Sequence, residues 1–222
     1  MRVSRAVGIW AVSLGLVLGA GAARGEVLGR STEPLSAEKV REAECSLGDL
    51  VADAARSAVN AELALVHASQ LRPTVIPAGD LTRDALTAAL PYPNEQVVLV
   101  TASGDQIWSA LERGLSMLPK PSTAFLQVSG ITVVFRSEAK PGERLVQVNI
   151  GRESLSRAKT YRTAMPASLA KGALGYFRIF KGLKVEATGP SLGDGLYDYV
   201  SAKRVISPPK EQRLKDLSSG SE

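Results

Sequence analysis

The chain contains one histidine, His67, one cysteine, Cys45, and few aromatic residues, 5% of 222. These scarcities exclude whole classes of chemistry. A catalytic zinc site typically draws on several His, Cys or acidic ligands and a dinuclear phosphatase centre on several histidines, and one histidine with one cysteine falls short of that set. A carboxylate-only magnesium site stays open in principle, but no paired-acid motif stands in the sequence. A Ser-His-Asp triad could be assembled only around His67, and no Gly-x-Ser-x-Gly elbow or phosphate-cradling glycine loop accompanies it. One cysteine forms no intrachain disulfide. Cys45 follows Glu44 within a helical pattern and reads as a packing thiol. No catalytic residue, no metal ligand and no cofactor is therefore assigned to the chain.

Charge is also absent from residues 6–23, "AVGIWAVSLGLVLGAGAA", which follow Arg2 and Arg5. A basic start, an apolar run and an Ala20-Gly21-Ala22 ending form the layout of a secretory signal peptide over residues 1–23. An uncleaved anchor is the alternative, because eighteen uncharged residues lie at the short end of spanning length. Cleavage leaves no stable membrane span and places the protein outside the cytoplasm, in the periplasm or the extracellular space. The remainder, about 200 residues, suits one domain with a substantial core. The formal charge of +5 falls to +3 without Arg2 and Arg5. The remaining cations are interspersed with acids, a pattern of a solvated surface and not of a nucleic-acid interface.

Apolar periodicity predicts a helix over 37–60, interrupted near Gly48, and a buried strand over Ala61 to Val66. A loop with a short helix spans 78–94, stopped by Pro91 and Pro93. A strand over Val97 to Thr101 precedes a helix over Asp105 to Leu118, with Ile107, Trp108, Leu111 and Leu115 inward. Phe125 to Phe135 and Arg144 to Ile150 read as a strand pair, the second with Val146, Val148 and Ile150 on one face. A strand over Tyr161 to Met165, a brief strand over 183–188 and a helix over Leu192 to Arg204 follow. Residues 208–222 read as a disordered tail. The expected fold class is α/β of the α+β type, a mixed β-sheet with packed helices spanning 26–207.

Four stretches stand in order: "ECSLGDLVADAAR" (44–56), "LALVHASQLRP" (63–73), "AALPYPNEQVVLVTASGDQIWSALERG" (88–114) and "FLQVSGITVVF" (125–135). With "KPGERLVQVNIG", "YRTAMPASLAKGALGYFRIF" and "LYDYVSAKRVISP", they resemble the C-terminal domain of bacterial and animal 5′-nucleotidases over 26–207. The resemblance implies a domain that binds the nucleoside, with its base between two aromatic rings, while a separate N-terminal domain holds the metals and the catalytic Asp-His pair. It therefore implies a chain that does not hydrolyse nucleotides alone. Its partner would be a nucleoside- or nucleotide-like molecule, or a separate metallophosphatase chain completing a split enzyme. A protein-interaction role with a degenerate pocket is a further alternative.

By position, the two stacking rings fall on Tyr92 in "LPYPN" and Tyr176 in "GALGY". The family's Asn-Gly-Gly-Gly-Ile-Arg loop falls on His67 to Arg72. Tyr92, Tyr176, Arg72, His67, Ser69 and Asn94 are thus the candidate substrate-binding residues. Each tyrosine equally fits a core cap with its hydroxyl outward, and Arg72 fits a surface ion pair as well as a phosphate clamp. His67 could meet a base or merely end a strand. The loop has lost its glycines, which permit positive φ and close backbone approach. Ala173 and Leu174 replace the Gly-Asp of the family's Gly-Gly-Asp-Gly, and Ala43 stands where the family carries an arginine, with Arg41 nearby.

Overall fold

The computed structural model describes residues 25–218; the leader expected over 1–23 lies outside them. The chain opens with β1 (Val27–Ser31), β2 (Leu35–Ser36), α1 (Ser46–Ala58) and β3 (Leu63–His67). Next come β4 (Val75–Ile76), β5 (Gly79–Thr82), α2 (Arg83–Ala89), β6 (Gln96–Ser103) and α3 (Gly104–Leu115). The middle is strand-rich: β7 (Leu126–Ser129), β8 (Ile131–Phe135), β9 (Leu145–Ile150), β10 (Glu153–Ser154) and β11 (Thr160–Pro166). Two single-turn helices follow, α4 (Ala167–Ala170) and α5 (Phe177–Phe180), and then β12 (Val185–Ser191). The chain closes with α6 (Leu192–Lys203), β13 (Val205–Ile206) and β14 (Leu214–Asp216).

The central sheet has the order β12-β6-β11-β3-β7, with β11 and β3 parallel and the other pairs antiparallel. All five residues of β3 are buried, as expected of an inner strand enclosed on both faces. A second sheet runs β10-β9-β8-β14, and a small third sheet joins β13, β1 and β5. Mixed sheets with packed helices are the α/β architecture expected from the sequence.

The helix α3 begins within one residue of the expected Asp105, and a capping box fixes its start. Ser103 Oγ accepts from Gln106 N at 3.2 Å, and Gln106 Oε1 accepts from Ser103 N at 2.9 Å. This capping box satisfies two backbone donors at once. Ile107, Leu111 and Leu115 are buried on its inner face, with Trp108 half-buried at the margin. By contrast, α1 starts at Ser46 rather than near residue 37. Gln127 explains the delay: its Nε2 donates to the Val40 and Ala43 carbonyls, and its Oε1 accepts from Cys45 N. Those backbone groups are satisfied by a side chain and have no need of a helix. Gly48 does not interrupt α1. A Cβ there would lie 2.5 Å from Gln127 Oε1, so the glycine admits the same glutamine.

The expected single strand from Phe125 to Phe135 divides at Gly130, φ +73°. β7 pairs with β3 in the central sheet, while β8 pairs with β9 in the second. A Cβ at Gly130 would stand 2.2 Å from the Glu62 carbonyl, so only glycine fits this crossing. The inward face of β9 also differs from expectation. Phe135 pairs with Leu145 and Val134 with Gln147, leaving Val146 in a bulge. A bulge reverses the facing of the residues beyond it. Leu145 and Val148 are consequently buried, and Val146 is 43% exposed.

The tail expected to be disordered over 208–222 contains β14, which pairs in parallel with β8. Arg213 holds it there. Its guanidinium reaches Asp53 Oδ2 at 2.9 Å and Asp49 Oδ1 at 3.5 Å, and donates to the Val128 carbonyl at 2.8 Å. Glu44 Oε2 accepts from the backbone N–H groups of both Arg213 and Leu214. A polar segment orders here through paired charges, a signal that apolar periodicity does not carry. Residues 219–222 lie outside the described part. Among the described residues, no helix is long and apolar enough to cross a membrane.

Candidate functional site

Parallel β3 and β11 end on the same side of the central sheet, and the crevice beyond such carboxyl ends is the usual ligand position in open α/β sheets. β3 runs into a tight 3₁₀ turn, Ala68–Gln70, fastened by Ala68 N to the Phe125 carbonyl (2.8 Å) and Ser69 N to the Thr123 carbonyl (3.3 Å). β11 runs into α4, whose Ser168 N–H donates to Glu95 Oε1 at 2.7 Å. The turn contains no positive φ. The turn is right-handed throughout and needs no glycine.

His67 closes β3, 3% exposed. Nδ1 is 2.8 Å from Ser69 Oγ, and Nε2 is 3.1 Å from Ser168 Oγ and 3.3 Å from Gln70 Nε2. Burial pushes its pKa down to about 4, because the imidazolium loses hydration, and the Glu95 carboxylate opposes this only weakly. The ring is neutral across the physiological range. A hydrolytic triad needs a carboxylate on the far ring nitrogen, whereas a second hydroxyl stands there. Gln70, 2% exposed, leaves its Oε1 without a hydrogen bond, a buried acceptor beside the imidazole.

The other candidates gather at the same end. Arg72 N–H donates to the Ala89 carbonyl at 2.9 Å, placing the exposed Arg72 next to the turn that carries Tyr92 and Asn94. That turn closes by Glu95 N to the Tyr92 carbonyl and docks on α6 by Gly193 N to the Pro93 carbonyl. Tyr92 presents its ring to solvent, 58% exposed, and Asn94 is exposed beside it. Ser69 is half-buried on the His67 side.

Tyr176 departs from expectation. It is fully buried, donating its hydroxyl to the Ala124 carbonyl at 2.6 Å and stacking on Phe180 with centroids 5.9 Å apart. The Arg113 guanidinium lies over the ring and donates to the Leu174 carbonyl at 2.7 Å. Leu174 adopts φ +57°, the left-handed conformation that its glycine neighbours take freely. Tyr176 thus supports the site from below and offers no open face, so the two carried-over tyrosines do not form a sandwich. The exposed aromatic is the next residue, Phe177, at 59%. "GYF" signals this only in part: adjacent rings on one turn cannot both enter the core, but the sequence does not say which one does. Ser168 and Glu95 also join this network, polar residues that no spacing in the sequence distinguishes.

The fold is a mixed α/β domain with a polar cluster at the ends of two parallel strands. Residues 27–182 match the family model described as "5′-nucleotidase, C-terminal domain", and the chain belongs to that family. An apyrase of Anopheles gambiae is 32% identical over 82% of this chain and 33% of its own length. A trifunctional nucleotide phosphoesterase of Bacillus subtilis is 31% identical over 81% of the chain and 13% of its own length. Among solved structures, a 5′-nucleotidase precursor from Thermus thermophilus superposes with a TM-score of 0.78 at 26% identity, covering 86% of this chain and 39% of that one. The chain spans about a third of the length of the apyrase it matches.

Proposed function

We propose that this chain is an exported recognition domain for a nucleoside or nucleotide, inactive as a hydrolase by itself. The observation that carries the reading is the clustering of Tyr92, Asn94, Arg72 and the His67–Ser69–Ser168 network at the carboxyl ends of β3 and β11. Tyr92 gives a base one stacking face, worth about 1–3 kcal/mol. Arg72 is free to reach a phosphate with charge-assisted bonds, while Ser69 and Asn94 are within the same neighbourhood for sugar or base hydroxyls and amines. His67 and Tyr176 hold the loop and its floor. Calorimetric titration with AMP and adenosine tests the reading. Heat of binding that disappears in Tyr92→Ala, with Arg72→Ala weakening AMP but not adenosine, supports it. No heat with either ligand at roughly millimolar concentration, about −4 kcal/mol of affinity, sinks it.

The relatives' greater length favours a second reading, in which the chain completes a separately made dimetal phosphoesterase. Mixing the two proteins should then raise kcat/KM for a nucleotide above that of the phosphoesterase alone. Export rests on the leader pattern; amino-terminal sequencing of the mature protein should find residues 1–23 removed.

A further inference from the structure

A cavity lies between β6, β12 and α5, and its lining residues Gln96 and Ala167 adjoin Glu95 and Ser168 in the chain. Its volume is about 560 Å³, within the range of small-molecule sites. Val98, Ala170 and Phe180 form a buried floor; Phe177 and Val185 form exposed lips at 59% and 50%. Polar lining is sparse: Gln96 and Thr188 contribute the uncharged groups. At the rim stand Lys171 and Lys181, exposed and with no ion-pair partner among the described residues. The Glu186 carboxylate on β12 turns to Thr101 instead.

The wall is preformed. Gly172, φ +88°, meets the Phe177 backbone so closely that a Cβ would stand 2.3 Å from its Cα. Gln106, which also caps α3, donates to the Ile179 carbonyl at 3.1 Å. Phe180 is stacked on the buried Tyr176. Both ends of α5 are thus fixed, and the lip residues stay exposed although burying them would be favourable. An apolar floor under two unpartnered ammonium groups is complementary to a molecule with an apolar body and an anionic head.

We propose that this cavity binds an amphipathic monoanion, an acyl or aryl carboxylate, with its body against Phe177 and Phe180 and its head at Lys171 and Lys181. The cavity shares no lining residue with the Tyr92 cluster, and the proposal does not rest on nucleotide recognition. Decanoate and decanol are the probes, measured by displacement of anilinonaphthalene sulfonate and by calorimetry on the full chain. Decanoate should bind about tenfold more tightly than decanol, the equivalent of about 1.4 kcal/mol. The double variant Lys171→Gln/Lys181→Gln should abolish that preference without reducing decanol binding. Phe177→Ser should weaken both probes about tenfold, and Thr188→Trp, at an exposed lining position, should fill the cavity and prevent binding. Circular dichroism checks that each variant folds, and Tyr92→Ala should leave decanoate affinity unchanged. The proposal is overturned if decanoate fails to bind, if decanol binds equally well, if folded Phe177→Ser and Thr188→Trp bind like the parent, or if Tyr92→Ala removes binding.

Discussion

His67 and Asp49 are equally buried, 3% exposed each, yet their surroundings drive them apart. His67 is encircled by two hydroxyls and an amide, and burial holds it neutral, with a pKa near 4. Burial also raises Asp49, to about 8; Arg213 opposes this at 3.5 Å, but Glu44 and Asp53 crowd the same guanidinium and reinforce the rise. The signs of the linkage are opposite. Below pH 6.5 an unfolded His67 takes up a proton that the folded one refuses, so its contribution, full above 6.5, is lost as pH falls towards 4. The folded Asp49 retains a proton that the unfolded one releases above 3.8, so its contribution is lost as pH rises through about 8. The two slopes oppose each other between about pH 4 and 6.5, leaving Asp49 alone to lower stability from 6.5 to 8. Neutral hydrogen bonding fastens one loop, and shared charge fastens the other end of the chain.

The strongest way to break this contrast is Arg213→Ala, which leaves Asp53 without its cation and removes the charge that holds Asp49 from rising further. Loss of one partner from a buried pair costs about 3–5 kcal/mol. Chemical denaturation should show that loss at neutral pH, with a steeper decline at alkaline pH and faster amide exchange in β14. Next, His67→Asn should remove the histidine's acid-side slope, worth up to about 3 kcal/mol on the usual conversion of pKa shifts, and expose Asp49's decline across the whole range from about pH 4 to 8. Denaturation midpoints measured along that range decide it. Asp49→Asn should do the reverse, leaving stability that falls only on acidification.

Tyr176→Phe tests whether the floor of the Tyr92 site is structural. It strands the Ala124 carbonyl and should cost about 1–3 kcal/mol without altering either pH slope. Smallest, Ser103→Ala removes the capping box of α3, far from both titrating groups, and should cost about 1 kcal/mol uniformly with pH. A pH-dependent loss there would show that the two clusters are coupled through the core.

The sequence was most readable where one residue serves one local need. The buried strand before His67 and the buried face of α3 follow from periodicity. It was least readable where a distant side chain takes over a backbone's hydrogen bonds. Gln127 withholds the first turn of α1, Gly130 sends one apolar run into two sheets, and a bulge turns Val146 outward while Val148 stays inward. The same limit applies to the site. The family resemblance marked Tyr92, Arg72 and the His67 loop, which the fold brings to one end of the central sheet. It could not tell that Tyr176 points inward and Phe177 outward, because that choice is made by Gly114, Ala124 and Arg113 from another part of the chain.

The placement of Arg213 has a consequence for biosynthesis. It lies 160 residues beyond Asp53. At about 5–20 residues per second, the carboxylates of α1 wait roughly ten to thirty seconds for their counter-charge. Throughout that interval the nascent domain has an open seam along β8 and an acidic pocket still short of the guanidinium that closes it. The β8–β14 seam can close only after residues 213–216 have been made.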